Sequence, residues 1–383
     1  MLRLLSLVSA SIGTASLTVA CSAEPTSNGG IPGSGTGRTG MQSAPAAPFT
    51  PTLTRQRSGT TERFYAVSPV NDRVVWASAG GGTFARTTDG GATWVSSVVK
   101  DAEALQFRDV HAVSDRVAYL LSAGEGANNR IYKTEDGGES WELQFQAGTD
   151  TRFFYDCFDF WSPNRAITFA DGIDGHFPII QTSDGGDHWR SLRDPIEAQA
   201  GEGGFAASGT CITTQSGNRA WIGTGAGPKA RVLATTDGGH SWKSYDVPIL
   251  QGTSTSGVVS LDFRDPFRGM LGGGDIVASD VPQNNVARTT DGGQTWTLTA
   301  PTPFTGAVYG LSYVPDEVTL VATGPGGAAW SPDEGDTWWL LSDISNFWAV
   351  GFASRSAGWL VGGEGQIVKI DFSRPAPAKN QDR

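Results

Sequence analysis

Six acidic residues lie in or beside candidate β-strands and could act as catalytic acids. They are Asp109, Asp156, Asp159, Asp262, Asp275 and Glu364. Most glycoside hydrolases use two carboxyl groups at a defined separation around the bond that is cleaved. A glycoside hydrolase, or a protein that binds glycans, is therefore one function that these residues allow.

The other side chains that often carry out chemistry form no recognisable site. The four histidines are His111, His176, His188 and His240, and no two of them have the spacing of metal ligands. Segment 171–175 contains two aspartates but lacks the alternating acidic ligands and the distant glutamate of a calcium loop. We expect no metal and no cofactor.

A motif that occurs six times, about every 50 residues, dominates the sequence. Its first copy, residues 87–94, reads Thr-Thr-Asp-Gly-Gly-Ala-Thr-Trp. The aspartates and tryptophans of the six copies are Asp89 and Trp94, Asp136 and Trp141, Asp184 and Trp189, Asp237 and Trp242, Asp291 and Trp296, and Asp333 and Trp338.

The motif predicts a tight β-hairpin. An aspartate can accept hydrogen bonds from backbone N–H groups just ahead of it, and the glycines can adopt the positive φ that the turn needs. The tryptophan returns on the next strand and can cover the turn. We interpret these residues as structural. Glu334 replaces the first glycine in the sixth copy, which predicts the most altered turn.

Further short strand candidates lie upstream of each motif. Each repeat therefore has four strand candidates, which is typical of a β-propeller blade. A seventh unit after the last motif has three strand candidates, and segment 49–55 could supply its outer strand and close the ring. The prediction is an all-β chain: one seven-bladed β-propeller of four-stranded blades over residues 49–372.

The repeat resembles a known family. The hairpin motif is similar to the Asp-box, or BNR repeat, and the segments Ala220-Trp221-Ile222-Gly223 and Gly358-Trp359-Leu360-Val361-Gly362 are similar to its preceding strand. With seven units, residues 50–372 resemble the photosystem II assembly and stability factors and their relatives in non-photosynthetic bacteria. This resemblance implies a propeller that binds partner proteins without catalysis. Sialidases share the Asp-box, but their early Arg-Ile-Pro-like motif is absent here.

An arginine precedes the second strand in five successive repeats. The five are Arg73, Arg116, Arg165, Arg219 and Arg268. Equivalent positions in a rotational repeat form a ring, which should share a face with the Asp-box hairpins. A ring of cations in an acidic chain would attract an acidic segment of a partner protein or an anionic ligand. Alternatively, each arginine pairs with a neighbouring aspartate or caps the adjoining blade.

Loops of uneven length should lie on the opposite face, at 124–129, 171–177, 194–208 and 273–285. Irregular loops on a repeat protein often make the specific contacts with a partner. The alternative is that the loops vary in length without a function. We expect Phe177, Phe205 and Ile276 to be the apolar anchors for a partner.

The N-terminus has the features of an export signal. Residues 1–20 read as a signal peptide, and Cys21 resembles the lipid-modified cysteine of bacterial lipoproteins, with ordinary cleavage as the alternative. Residues 21–48 are rich in Gly, Pro and Ser and predict a flexible tether, and 373–383 a disordered tail. We expect a periplasmic or cell-surface monomer, held at the membrane only by its lipid.

Composition and cysteines narrow the function further. A formal net charge of -11 argues against binding to nucleic acid.

Cys157 and Cys211 occupy matching inner-strand positions in adjacent blades. A disulfide is permissible in an exported protein, but we expect two free thiols because the inner strands should be too far apart. The function that fits best is an exported, non-enzymatic propeller that binds protein partners as an assembly or stability factor for a membrane or envelope complex.

Overall fold

The computed structural model describes residues 50–192 and 196–373. They form seven four-stranded antiparallel sheets, the blades of a β-propeller, and one separate two-stranded ribbon. The predicted fold class and the number of blades are confirmed. The predicted signal peptide, the tether, Cys21 and all of the predicted tail except Ser373 lie outside the described residues.

The strands of each blade run from the inner to the outer position in chain order. Blade 1 consists of Phe64–Pro69, Val75–Ala79, Thr83–Thr87 and Val95–Val98; blade 2 of Phe107–Ala112, Ala118–Ser122, Arg130–Thr134 and Glu142–Gln146; blade 3 of Tyr155–Ser162, Arg165–Ala170, Ile179–Thr182 and Arg190–Ser191; and blade 4 of Ile212–Gln215, Arg219–Thr224, Arg231–Thr235 and Lys243–Asp246.

The other three blades repeat the plan. Blade 5 consists of Ser256–Phe263, Gly269–Asp275, Val286–Thr289 and Thr297–Leu298; blade 6 of Gly310–Tyr313, Leu320–Gly324, Gly327–Ser331 and Trp339–Leu340; and blade 7 of Phe347–Ser354, Ala357–Gly362 and Gln366–Asp371, with Thr52–Arg57 as its outer strand. The ribbon pairs His176–Phe177 with Ile196–Glu197. Two 3-10 turns, Gly126–Asn128 and Gly363–Gly365, are short, and no helix in the described ranges could span a membrane.

The hydrophobic core lies between neighbouring blades. In one cluster, Trp76 and Phe84 of blade 1 pack with Phe107 and Leu120 of blade 2. The second strands are buried along all or nearly all of their length, as in Val75–Ala79, because they are covered on both sides. Each blade therefore depends on its neighbours for burial of its apolar surface.

The first strand of the domain closes the ring. Thr52–Arg57 pairs antiparallel with Gln366–Asp371, with Thr52 opposite Asp371 and Arg57 opposite Gln366. The guanidinium of Arg55 also donates to the carbonyl of Asp343, at 2.7 Å. The predicted closure of the last blade by an N-terminal strand is confirmed, and this pairing covers the edge of Gln366–Asp371.

The Asp-box hairpins share one hydrogen-bond pattern. In the first, the hydroxyl of Thr87 donates to Asp89 Oδ1 at 2.8 Å and accepts from the N–H of Gly91 at 2.9 Å. Asp89 also accepts from the backbone N–H of Thr93 at 2.9 Å and from its hydroxyl at 2.6 Å. Gly90 and Gly91 have φ of 76° and 87°. All the contacts of this pattern lie within one turn, which supports the structural interpretation.

The sixth hairpin keeps the pattern with a substitution. Glu334 occupies the first glycine position with φ of 54°, a conformation that is unfavourable for a residue with a side chain. Its Oε1 accepts from the Nε of Arg264 at 2.6 Å and from the hydroxyl of Tyr313 at 3.1 Å. These two bonds to the preceding blade and to its own blade anchor the altered turn.

We predict that Asp89→Asn destabilises the protein at pH 7 but not at pH 2. Hydrogen bonds, first from the Thr93 side chain, lower the pKa of Asp89 to about 2. A group whose pKa is lowered on folding stabilises the fold above its unfolded pKa, and this stabilisation is lost as the pH falls towards about 2. Denaturant midpoints at the two pH values measure the effect. Asp72→Asn, at an exposed aspartate nearby, should leave both midpoints unchanged; equal losses at both pH values for Asp89→Asn would contradict the explanation.

The expectation of two free thiols is wrong. Cys157 and Cys211 form a disulfide between the inner strand of blade 3 and the segment entering the inner strand of blade 4, with their Cα atoms 6.0 Å apart. Inner strands converge towards the propeller axis, so at this level adjacent blades are close enough for a bond that needs 4.4–6.8 Å. Both cysteines are fully buried.

Candidate partner-binding surfaces

The arginines and the Asp-box hairpins lie on the same face, which we call the Asp-box face. In the first two blades the N–H of the first hairpin glycine donates to an arginine carbonyl: Gly90 to Arg73 and Gly137 to Arg116, each at 2.9 Å. Gly238 makes the equivalent bond to Asn218, next to Arg219, at 2.8 Å. The turns after the first and third strands therefore support each other.

The five arginines do not have equivalent surroundings. Arg73, Arg116 and Arg268 are exposed. Arg268 pairs with Asp265, with Nη1 and Oδ2 3.2 Å apart, as the structural alternative predicts. Arg165 and Arg219 are partly buried and have no ion pair within the described ranges. The predicted ring is thus divided into peripheral residues and a central pair.

Arg165 and Arg219 each lie over an aromatic ring. The guanidinium carbon of Arg165 is 5.0 Å from the ring centre of Trp161, and that of Arg219 is 5.8 Å from the ring centre of Phe267. Arg165 also donates to Asn218 Oδ1 at 2.7 Å, and the indole N–H of Trp161 donates to the carbonyl of Arg219 at 2.6 Å. We call Trp161, Arg165, Arg219 and Phe267 the arginine–aromatic patch. It spans blades 3, 4 and 5.

The patch offers charge and apolar surface together. Phe267 is 56% exposed, although it is a large apolar residue. A guanidinium over an aromatic ring keeps its outer N–H groups free to bind carboxylates. The patch can therefore bind a segment that carries both an acidic and an apolar side chain.

The three apolar residues predicted as anchors on the opposite face have little accessible surface. Phe177 is 2% and Phe205 8% exposed, and Ile276 is partly buried. Phe205 and Ile276 come together in one cluster with Tyr309 and Trp348. Phe177 lies apart, in the short ribbon, where it lines a mainly apolar cavity of about 270 Å³ with Phe153 and Tyr155. These side chains pack against the protein itself, because the loops that carry them fold inwards.

Residues 202–209 cross the opposite end of the propeller, and we call them the plug. Ser208 Oγ donates to the carbonyl of Tyr309 in the segment entering blade 6, at 2.5 Å, and Arg108 in blade 2 donates to the carbonyl of Ala206 at 3.0 Å. A Cβ on Gly209 would meet Asp109 and Ala66, so this residue has space only for glycine. The plug thus contacts blades on several sides of the axis. The length of loop 194–208 predicted an insertion, but it could not predict that the loop folds towards the propeller axis.

A buried ion pair fixes the start of the plug. The carboxylate of Glu202 is fully buried and lies 2.5 Å from Nη2 of Arg231, whose side chain is 14% exposed. Glu202 Oε1 also accepts from the hydroxyl of Thr224 at 2.6 Å. The two charges compensate each other inside the protein, where neither could remain alone.

Three of the candidate catalytic acids join neighbouring blades. Asp109 accepts from the N–H of Phe158, Asp159 from that of Thr214, and Asp262 from that of Tyr313, at 2.7–2.9 Å. The second oxygen of each accepts from the N–H of the following residue. Burial raises the pKa of Asp109 and raises that of Asp262 to about 6. These carboxylates act as staples between inner strands.

The other three acids are placed differently. Asp156 is buried beneath the plug, Asp275 accepts from the Thr255 hydroxyl at 2.8 Å, and Glu364 is exposed in a 3-10 turn. Within the described ranges, no three His, Cys, Asp or Glu side chains are grouped closely enough to hold a metal ion.

Fold and surfaces together define a seven-bladed β-propeller in which the plug crosses the face opposite the Asp-box face. No family model and no curated protein matches the sequence. Among solved structures, YCF48 bound to D1 peptide matches with a TM-score of 0.61 and 18% identity over 86% of this chain and 100% of that one. YCF48 from Cyanidioschyzon merolae matches with a TM-score of 0.59 and 16% identity over 83% and 98%.

The same fold also occurs in an enzyme. The Niastella koreensis GH74 enzyme matches with a TM-score of 0.57 and 13% identity over 84% of this chain and 55% of that one. At these identities the matches establish the architecture. They confirm the suspected resemblance to the assembly-factor propellers at the level of the fold, while functional sites on a shared fold differ.

Proposed function

We propose that this chain is an exported binding protein without catalytic chemistry that holds an acidic segment of a protein partner on the arginine–aromatic patch. The observation that carries the proposal is the pair Arg165 and Arg219, two cations without carboxylate partners in the described ranges, one of them beside the exposed ring of Phe267. The YCF48 structure bound to D1 peptide supports it, since a propeller of this architecture binds a peptide. Assistance in the assembly of a membrane or envelope complex is the role we propose for such binding.

The double variant Arg165→Ala and Arg219→Ala is expected to lower affinity for the partner at least tenfold. The change removes two charge-assisted contacts, while loss of the stacking on aromatic rings should reduce stability by about 1–2 kcal/mol in total. Affinity capture from native membranes with quantitative mass spectrometry identifies the partner, and titration with the purified partner measures the affinity.

The matched control is Arg73→Ala with Arg116→Ala, two exposed arginines on the same face. This double variant changes the net charge by the same amount as the Arg165 and Arg219 variant, and it should retain most of the affinity for the partner. Equal losses in the two double variants would show that overall charge, rather than the patch, attracts the partner. A large fall in melting temperature for the Arg165 and Arg219 variant would make these residues structural.

A glycoside hydrolase or glycan-binding propeller is the second candidate, favoured by the shared fold of the GH74 enzyme. Turnover of chromogenic sialosides or β-glycosides by the purified chain would support it. Absence of turnover, together with a stoichiometric protein partner, would favour the binding protein.

We further propose that Cys21 carries a lipid and anchors the protein. The buried disulfide supports export, because such bonds persist in oxidising compartments. Cys21→Ser should move the protein from the detergent phase to the aqueous phase in Triton X-114 partitioning. An unchanged distribution would contradict lipidation, and the N-terminal peptide mass would then show ordinary cleavage.

A further inference from the structure

Two arginines and three aromatic residues meet at the plugged end of the propeller. Arg63, Tyr65, Arg108, Tyr309 and Trp348 lie in or next to the first few residues of the inner strands of blades 1, 2, 6 and 7. Inner strands all begin on this face, so the propeller brings together residues from both ends of the domain. We call these five residues the mouth.

The five side chains form one continuous cluster. The guanidinium carbon of Arg63 is 4.8 Å from the ring centre of Trp348, and that of Arg108 is 4.0 Å from the ring centre of Tyr65. Tyr65 and Tyr309 contact Trp348 edge-on, with ring centres 5.3 and 4.9 Å away. The two cations therefore flank a shared aromatic cluster, in which Tyr65 and Tyr309 are buried and Trp348 is partly exposed.

Neither cation has a carboxylate within ion-pair distance in the described ranges. Arg108 donates only to neutral acceptors, at 2.6 and 3.1 Å to Gln106 Oε1 and at 3.0 Å to the carbonyl of Ala206. Burial, and to a smaller extent the charge of Arg63, lower the pKa of Arg108. A partly buried cation without a counter-ion is unfavourable and attracts an anion.

Asp156, the acid that interacts electrostatically with Arg108, forms no ion pair with it in the described ranges. Asp156 is 1% exposed, and burial, followed by the charge of Asp171, raises its pKa well above the usual value. Its Oδ2 has no hydrogen-bond partner, and the buried indole N–H of Trp348 likewise has no acceptor in the described ranges. The mouth thus contains two cations without an ion-pair partner and an indole N–H without an acceptor in the described ranges.

We propose that the mouth is a second binding site, which takes a carboxylate of a peptide between Arg63 and Arg108, next to the partly exposed ring of Trp348. Arginine forks match the geometry of carboxylates, and the ring of Trp348 supplies apolar contact in the same place. The site lies on the face opposite the arginine–aromatic patch and is independent of it.

Calorimetric titration at low ionic strength tests the site with short peptides. The set comprises an acidic hexapeptide with a free carboxyl terminus, its amidated form, its Asn and Gln counterpart, and inorganic phosphate. We expect the acidic peptide to bind and Arg63→Gln to weaken it at least tenfold; Arg63 is exposed, so this variant should fold. Amidation then tells whether the terminal carboxylate or a side chain is held.

Arg116→Gln is the matched control, because Arg116 is an exposed arginine on the Asp-box face. It should change the affinity less than twofold; all titrations are made in the Arg165→Ala and Arg219→Ala background, so that binding of the acidic peptide at the arginine–aromatic patch does not contribute. The proposal is overturned if Arg63→Gln binds like the unaltered protein, if Arg116→Gln loses as much affinity, or if phosphate binds and no peptide does.

Discussion

Replacing Cys157 and Cys211 together with alanine is expected to lower the free energy of unfolding by about 4 kcal/mol. The bond joins residues 54 positions apart. In the chain-entropy account, a cross-link stabilises the fold because it lowers the entropy of the unfolded chain. This stabilisation is about 3 kcal/mol for a loop of ~15 residues and about 4.7 kcal/mol for a loop of ~100 residues, and the present loop lies between the two. Denaturant titration of the oxidised protein and the double variant measures the difference.

Reduction of the unaltered protein provides the control. The disulfide is buried, so reductant should act only once denaturant has opened the fold, and refolding under reducing conditions should then give the same loss as the double variant. If oxidised and reduced protein unfold at the same midpoint, the disulfide does not contribute to stability. Mass measurement after alkylation would confirm that the bond is present in the purified protein.

Glu202→Ala is expected to cost about 3 kcal/mol and to loosen the plug. The change leaves Arg231 partly buried without its carboxylate, and loss of one partner of a buried ion pair typically costs ~3–5 kcal/mol. The lower end applies because Arg231 keeps some exposure and a bond to the carbonyl of Glu197, at 3.0 Å. Denaturant titration measures the loss of stability.

Hydrogen exchange separates a local effect from a global one. Amide protons of residues 199–209 should exchange faster in Glu202→Ala under native conditions, whereas those of the inner strands on the far side of the ring should change only through global unfolding. Glu103→Ala, at an exposed glutamate, should alter neither. Unchanged exchange in 199–209 would mean that the ion pair does not hold the plug.

The proposed sites fit a division of roles between the faces. The Asp-box face presents the arginine–aromatic patch between regular hairpins, while the opposite face holds the plug and the mouth. The plug contributes to the mouth through the bond from Arg108 to the carbonyl of Ala206. Loosening the plug should therefore weaken peptide binding at the mouth but leave the arginine–aromatic patch intact.

The blades, their number and the hairpins could all be predicted from the order of the amino acids. The hydrogen bonds that Asp89 accepts from the side chains of Thr87 and Thr93 join residues within four positions, so the motif specifies the turn wherever it occurs. Repetition of the unit then requires stacking, because a single blade cannot bury both of its faces. The altered turn at Glu334 could be predicted for the same local reason.

Which candidate residues remain accessible depends on packing in three dimensions and could not be predicted from the sequence. Asp109 serves as a staple because it meets the N–H of Phe158, 49 residues away, and Phe205 is buried because the plug turns inwards to the axis. The disulfide likewise depends on how closely the inner strands converge. Spacing along the chain gives the rotational position of a residue around the propeller. The distance of the residue from the axis and the path of an inserted loop depend on packing among blades that are remote in sequence, so spacing does not give them.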